Sequence, residues 1–430
     1  MLINELPGVY FKEKVTYELS GEGSKIPIFI GKTGNSANGN YKVDGSSYLK
    51  FTKISDALRA VQGTGDKWEE ETGIGKYLAD DGKTIINANN ELSKRIYEFY
   101  QESKLLQSTD IGVPHIYVID VGDGTIKDIW EKALETAKTL TDATVEIYVG
   151  AESISKQYKI DANGNKTSQL ENIQNFSLVD DFLTMAVDSI FEDTEELDLR
   201  YGFATVEKNA DETIEQYDAR LIQIGTDLRS KYSNSVMHKL SRLGLCEEFL
   251  FGKTMARICC TPYNTEPGFF VYRSVPAGIF IKRTKEAMLA LQDAGIIFNR
   301  DEQVNGKKFP RINLCVSSAF GSTVDRPADS LFHARFNSDD LLREVFEACY
   351  SQIKANESAT NIAYLQARVN KIVNDRVTNE EMVKYDDRTE KGTKLTVIES
   401  HEEPYNLIVT GQIQPVKCTI AIRVEAVIKI

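Results

Sequence analysis

The chain has 430 residues, 41% hydrophobic and 27% charged, enough apolar side chain to bury a sizeable core in about two to four domains and too little charge for bulk disorder. The formal net charge of -13 and a pI of about 5.1 argue against direct binding to phosphate backbones. No stretch reaches the length of apolar residues that a membrane-spanning helix needs, and the opening MLINELPGVYFKEK lacks the pattern of a secretory leader, so neither nucleic acid nor membrane insertion is expected.

Residues 1–24 read as an arm. Leu6, Pro7 and Gly8 disfavour a helix, and residues 9–19 are extended in character, carried by Val9, Tyr10, Phe11, Val15 and Tyr17. Gly21 and Gly23 then form a hinge. A core strand follows at 26–30, ending at Gly31. Residues 32–47 are a Gly/Asn/Ser loop, 52–61 a short helix with Ser55 as a cap, and 89–107 a stronger helix with Leu92, Ile96, Phe99 and Tyr100 at helical spacing. A strand at 115–121, a helix at 126–140 and a strand at 145–149 give the strand–helix–strand order of an α/β layer with parallel pairing. Residues 156–172 form a hairpin around Asn163-Gly164. Helices are expected at 178–191 and 214–243, the second broken near Ser233, and a strand at 255–261. Residues 284–294 form a helix stopped by Gly295, and 296–299 lead into a hairpin at Asn305-Gly306.

The last third changes character. Helices at 339–355 and 361–374 carry apolar stripes, Leu342, Val345, Phe346, Cys349 and Ile353 on the first and Ile362, Leu365, Val369 and Ile372 on the second. Strands follow at 395–398 and 405–413, and Pro415 interrupts. Residues 416–430 then alternate to the last residue, with Val416, Cys418, Ile420, Ile422, Val424, Ala426, Ile428 and Ile430 on one face. Such a strand would span about 50 Å, far beyond the usual strand length. It fits a terminal strand packed on its own sheet and equally a segment that pairs with another chain. The expected organisation is a mixed α/β fold with an N-terminal arm at 1–24, N-terminal and middle domains over 25–300, a C-terminal domain over 301–414 and a C-terminal strand arm at 415–430, with Pro415 as a third hinge.

Several short patterns together resemble the contractile tail sheath family of phages, bacteriocins and injection systems. Pro7-Gly8-Val9-Tyr10 is similar to the P-G-V-Y opening of many sheath proteins. The strand at 26–31 followed by 53–58 resembles their first core strand and the segment after it. The helix at 284–294 with Gly295 and Ile296 is similar to their L-x-x-A-G-I step, and Gly411, Ile413, Pro415 and Val416 match the G-x-I-x-P-V that precedes the last alternating strand. The W-G-x-R-T segment of many sheaths is missing, and KFPRINLCVSSAF at 308–320 stands in its place. The resemblance implies a structural subunit in six-fold rings stacked around an inner tube, its two arms inserted into neighbouring copies, and contraction that drives the tube through a target envelope. It implies self, the inner tube protein, baseplate and terminator proteins as partners, and a tail particle assembled in a bacterial cytoplasm. It also implies a helix of the C-terminal domain facing the tube, for which Lys354, Arg368 and Lys371 are the candidates. Another self-assembling tail or shell component, or an α/β enzyme with a long terminal strand, remain the alternatives.

Signals for chemistry are sparse, and no enzyme activity and no cofactor are expected. Gly31-Lys32-Thr33 and Gly252-Lys253-Thr254 end like phosphate-binding loops, but Ile26 and Glu247 stand where the motif needs glycine, so both read as strand-end turns. Asp161 to Asn165 followed by Lys166 lacks the glycine of a calcium loop. The four histidines, His115, His238, His333 and His401, show no metal-ligand spacing. Six scattered cysteines include no C-x-x-C pair and read as reduced, buried thiols of a cytosolic product.

Overall fold

The computed structural model describes residues 25–31, 45–52, 57, 67–68, 76–78, 85–87, 91–106, 115–121, 127–140, 145–154, 156–160, 166–172, 200–209, 211–231, 240–261, 263, 265–304, 306–323, 330–350, 359–399 and 407–416. The N-terminal arm with its hinges Gly21 and Gly23, most of the expected helix at 52–61, the expected helix at 178–191, Lys354 and the alternating segment from 417 onward lie outside the described residues. The chain divides into two compact units. The larger takes its described residues from Tyr10–Pro262 and Pro267–Phe332, the smaller from Tyr263–Glu266 and His333–Ile430.

The larger unit is built on a seven-stranded sheet. Its strands are β1 (Lys25–Gly31), β2 (Leu49–Phe51), β6 (Ile116–Asp120), β7 (Val145–Ile154), β10 (Arg200–Val206), β11 (Leu243–Glu247) and β12 (Ile296–Ile297), in the order β12-β11-β10-β7-β1-β6-β2. All neighbours pair in parallel except β2 on β6. A parallel sheet is covered on both faces, so its strands are buried end to end. Every residue of β1, β6, β10 and β11 is buried. β1 is central, with Phe29 opposite Val118 on one side and Val149 on the other. Smaller pieces are a three-stranded sheet of β3 (Lys67–Trp68), β4 (Lys76–Leu78) and β5 (Ile85–Asn87), the hairpin β8 (Lys156–Ile160) with β9 (Lys166–Asn172), and the hairpin β13 (Asn299–Val304) with β14 (Lys307–Ile312). The helices of this unit are α1 (Glu91–Leu106), α2 (Lys127–Lys138), α3 (Ile214–Lys231), α4 (Phe251–Cys260), α5 (Lys285–Asp293) and α6 (Phe320–Thr323).

Thr284 caps α5, its hydroxyl accepting the Ala287 N–H at 3.2 Å. The helix ends at Gly295 in a left-handed turn (φ 77°), as the sequence signals. Val206, Leu221, Leu245, Leu291, Ile296 and Phe298 meet in one core cluster.

Three sequence expectations change here. Residues 255–260 of the expected strand at 255–261 are helical in α4, and Thr261 is the extended residue that ends it. All ten residues of α4 are buried, so no solvent face imposes a period on its sequence. The helix beginning at 214 stops at Lys231, and Leu243 opens a strand. The division between units falls at His333 rather than 301. Residues after 301 stay with the larger unit through the β13–β14 ladder, the Val316–Leu331 bridge, and the bonds from Ser318 N to Leu243 O at 2.8 Å and from Phe332 N to Cys315 O at 3.1 Å.

The smaller unit has two long helices, α7 (Phe332–Tyr350) and α8 (Ala359–Thr378), and the hairpin of β15 (Lys394–Glu399) with β16 (Leu407–Gln412). Leu341, Val345, Cys349, Leu365, Val369 and Val397 belong to one buried cluster. On α7 the inward residue is Leu341, not the expected Leu342, because Leu341 stands four and eight residues before Val345 and Cys349 and shares their face.

Gly252 is where α1 and α4 touch most closely. A methyl group there would overlap the Arg95 carbonyl oxygen and come within 2.6 Å of the Glu98 Cβ. Gly252→Ala is expected to destabilise the larger unit by about 1–3 kcal/mol, the size of an overpacked contact, measured by urea unfolding of the full chain.

Candidate assembly site

In open parallel sheets a ligand site lies beyond the carboxyl ends of the strands. Here the ends of β10 and β11 are filled by protein. Tyr217 donates to Val206 O at 2.7 Å and accepts the Glu248 N–H at 3.1 Å. The Glu247 carboxylate receives Arg283 at 2.9 Å and the Asn299 N–H at 2.5 Å. Arg283 also holds Asp218 at 2.9 Å. Burial pushes the Glu247 carboxyl up and outweighs the pull of Arg283 in the other direction. Burial likewise raises the Tyr217 phenol.

Gly252-Lys253-Thr254 is the first turn of α4, not a strand-end turn. A helix N-terminus attracts anions, but this one already has its own. Gly252 N donates to Glu98 Oε2 of α1 at 2.9 Å, and Lys253 reaches the Ser274 carbonyl at 3.3 Å. Buried Lys25 donates to Ile258 O at 2.9 Å and Thr261 O at 2.6 Å, where the C-terminal end of α4 favours a cation. Among the described residues no cluster of His, Cys, Asp and Glu is arranged to hold a metal ion, and no helix is long and apolar enough to cross a membrane.

The smaller unit offers a different kind of site. Among the described residues β15 and β16 form a two-stranded sheet, paired antiparallel with Val397 opposite Val409 and Ile398 opposite Ile408. Leu395 and Val397 are buried against α8, while Ile398 and Ile408 are 40% and 42% exposed. The side chain of Gln366 on α8 bonds the β15 backbone, accepting the Val397 N–H at 2.7 Å and donating to Leu395 O at 3.0 Å.

The G-x-I-x-P-V stretch fastens the chain as it leaves this hairpin. Gly411 has φ 152°, and a Cβ there would overlap the Lys394 carbonyl, so only glycine fits. Ile413 packs on the core cluster. Gln414 O accepts the Val383 N–H at 2.8 Å, and its side chain accepts the Gly392 N–H at 2.8 Å. Thr393 Oγ1 accepts the Gln414 N–H at 3.0 Å. Pro415 is buried in a bridge to Met382, and the Val416 N–H reaches Glu381 O at 2.9 Å. Pro415 is therefore held in place, unlike the hinge expected of it, because its neighbours on both sides are hydrogen-bonded to 381–383 and 392–393.

An ion network ties α7 and α8 to the same segment. Arg376 meets Asp340 at 2.6 Å, Glu344 at 2.9 Å and Glu381 at 2.8 Å. Arg343 takes the other oxygen of Asp340 at 2.6 Å. Buried His333 and Glu266 lie 2.9 Å apart.

Of the expected tube-facing residues, Arg368 and Lys371 both lie on α8. Lys371 is exposed; Arg368 is half-buried and close to Cys349. Burial pushes that thiol up to about 11, against the pull of Arg368. Val416 is 37% exposed. Gln366, Thr393, Gln414 and Arg376 were missed from sequence. Only the G-x-I-x-P-V pattern pointed near them, since an isolated Gln or Arg on a helix carries no signal of its distant partner.

No protein-family model matches the chain, and no curated protein matches it in sequence. Solved structures do resemble it in fold. A chain of the cryo-EM structure of the anti-feeding prophage baseplate, 6-fold symmetrised, aligns with a TM-score of 0.58 at 11% identity over 100% of both chains. The helical sheath of the anti-feeding prophage in its contracted state gives 0.54 at 10% identity over 99% of both. The sheath complex of PVC, an extracellular contractile injection system, in its contracted state gives 0.57 at 10% identity over 99% of this chain and 98% of that one. The chain thus has the mixed α/β fold of these contractile-assembly proteins along essentially its whole length.

Arg376→Met is expected to cost about 2–3 kcal/mol. It leaves nearly buried Asp340 with one cation instead of two, and the partial exposure of Arg376 moderates the full penalty of a broken buried pair. Denaturant unfolding followed by circular dichroism checks it.

Proposed function

We propose that this chain is the sheath subunit of a contractile tail or injection particle, a structural protein with no catalytic role. The observation that carries this reading is the fold shared with sheath chains from end to end. Subunits stack as six-fold rings around an inner tube, bind baseplate and terminator proteins at the two ends, and contract to drive the tube through a target envelope. Assembly takes place in the cytoplasm of the bacterium that makes the particle. A contact that pairs one patch with a different patch on the next copy does not close on itself and generates rings and helices.

The arms at 1–24 and 417–430 supply strands to neighbouring copies. Val9, Tyr10, Phe11, Val15 and Tyr17 serve on one arm, and Cys418, Ile420, Ile422, Val424, Ile428 and Ile430 on the other. Strand addition contributes backbone hydrogen bonds while the linkers stay flexible, so subunits turn as rigid bodies in a mesh that remains joined. Gly21 and Gly23 are the pivots of the first arm. With Pro415 fastened, the pivot of the second lies beyond Val416. The α8 face bearing Arg368 and Lys371, with Lys354, meets the tube by charge complementarity.

Electron microscopy of the concentrated protein is expected to show hollow helical tubes; discrete monodisperse particles would refute the reading. A chain lacking 417–430 is expected to keep the circular dichroism and melting temperature of the full chain but to form no tubes. Reversing the charges of Lys354, Arg368 and Lys371 together is expected to reduce co-sedimentation with the tube protein several-fold while leaving the fold intact.

A further inference from the structure

Residues 270–284 contain no helix or strand, yet side chains of the larger unit hold this stretch along its length. Glu102 of α1 accepts the Arg273 N–H at 3.0 Å, the Ser274 N–H at 2.9 Å and the Ser274 hydroxyl at 2.6 Å. Arg257 of α4 donates to the Val271 carbonyl. Pro310 O accepts the Tyr272 N–H at 2.8 Å, and Asp301 accepts the Gly278 N–H at 2.9 Å. A loop of this length without regular structure is uncommon in a compact domain and is usually functional. Fixed in this way, it turns apolar side chains outward. Phe270 and Ile279 are exposed on it, and exposed Phe249 has its ring 5.8 Å from that of Phe280. Exposed Leu105 accepts Arg273 on its carbonyl at 2.8 Å. Among the described residues these are four of the larger unit's six exposed large apolar side chains, so exposure gathers here as at an interaction surface.

The rim of this surface is basic. Lys282 and Lys308 are both exposed, and the Lys308 Nζ would lie 3.8 Å from a Cβ at Gly278. In a chain of net charge -13 these cations favour an acidic partner. Residues 191–198, outside the described residues, read FEDTEELD, five carboxylates with apolar Phe191 and Leu197. That run matches the surface in both respects, with apolar side chains for Ile279 and Phe249 and carboxylates for Lys282 and Lys308. In its own chain it ends two residues before Arg200, the first residue of β10, at the amino end of the sheet. Phe249 lies two residues beyond the carboxyl end of β11, the parallel neighbour of β10. An own-chain run would have to double back over the whole strand, roughly 20 Å, which is most of its own extended length. A second copy has no such constraint.

We propose that residues 270–282, with Phe249 and Lys308, form a docking surface for the acidic run 191–198 of a second copy. This contact rests on the sheath reading and adds a tie between copies that is separate from the arms. One patch meets a different patch, so the contact repeats from copy to copy without closing on itself. The fixed backbone of the loop has little freedom left to lose on binding. Salt weakens the charged rim and leaves the apolar centre.

Chains carrying Ile279→Cys are mixed with chains carrying Leu197→Cys, polymerised and treated with a short bismaleimide. Crosslinked heterodimers are expected, and each variant alone gives none beyond the unmodified chain. Polymers without that crosslink would overturn the proposal and leave the sheath reading standing; absence of polymer from the unmodified chain would overturn both. A chain with both substitutions that crosslinks within itself, at dilutions where no polymer forms, puts the run on its own chain and also overturns the proposal. Charge exchange gives a second measurement. Lys282→Glu with Lys308→Glu is expected to raise the concentration needed for polymers about fivefold, the size of one to two surface ion pairs, with circular dichroism unchanged. Glu195→Lys with Glu196→Lys is expected to do the same, and all four together to return to within about twofold of the unmodified chain. A lysine variant that polymerises like the unmodified chain, or a combination that recovers nothing, overturns the contact.

Discussion

Backbone N–H and C=O groups must be paired or wet, and the β15–β16 hairpin pairs only one edge of each strand within itself. Helix α8 covers one face, and Gln366 covers the outer edge of β15. What remains is one edge of β16 and one face carrying exposed Ile398 and Ile408. Among the described residues nothing covers this face and edge, and an apolar face and an open ladder are costly to leave in water. The proposed assembly role rests on the fold shared with sheath chains.

The larger unit differs, because the described core of its sheet is buried. Every residue of β1, β6, β10 and β11 is buried, and the carboxyl ends of β10 and β11 are filled by Arg283, Glu247, Asp218 and Tyr217. Of the two motifs with the appearance of an anion site, Gly252-Lys253-Thr254 holds a carboxylate of its own chain. Buried ion pairs of this kind add little net stability, since desolvation offsets much of the Coulomb gain, but breaking one is expensive.

Much of the fold was legible in the chain itself. The β1 run, the helix stopped by Gly295, the stripe of α8 and the two hairpins all stand where local chemistry places them. So does the mixed α/β class, which strand–helix–strand order implies. The misses share a cause. β10 carries Arg200 and Gly202 inside a strand whose burial comes from neighbours on both sides. α4 is buried all round and has no polar face to mark its turns. The 301 boundary failed because Phe332 and Ser318 are held by residues far away in the chain.

By itself the sequence determined the local elements, because helix caps, turn glycines and apolar periods act over a few residues. It also shows that a G-x-I-x-P-V step precedes a last segment of alternating apolar residues. Only the tertiary structure decided that this step is a fastening, that Gln366 closes one edge of the hairpin, and that the carboxyl ends of β10 and β11 are filled by the chain's own side chains. Each of these depends on which distant backbone group a side chain meets, and that is a property of the folded arrangement rather than of any local pattern.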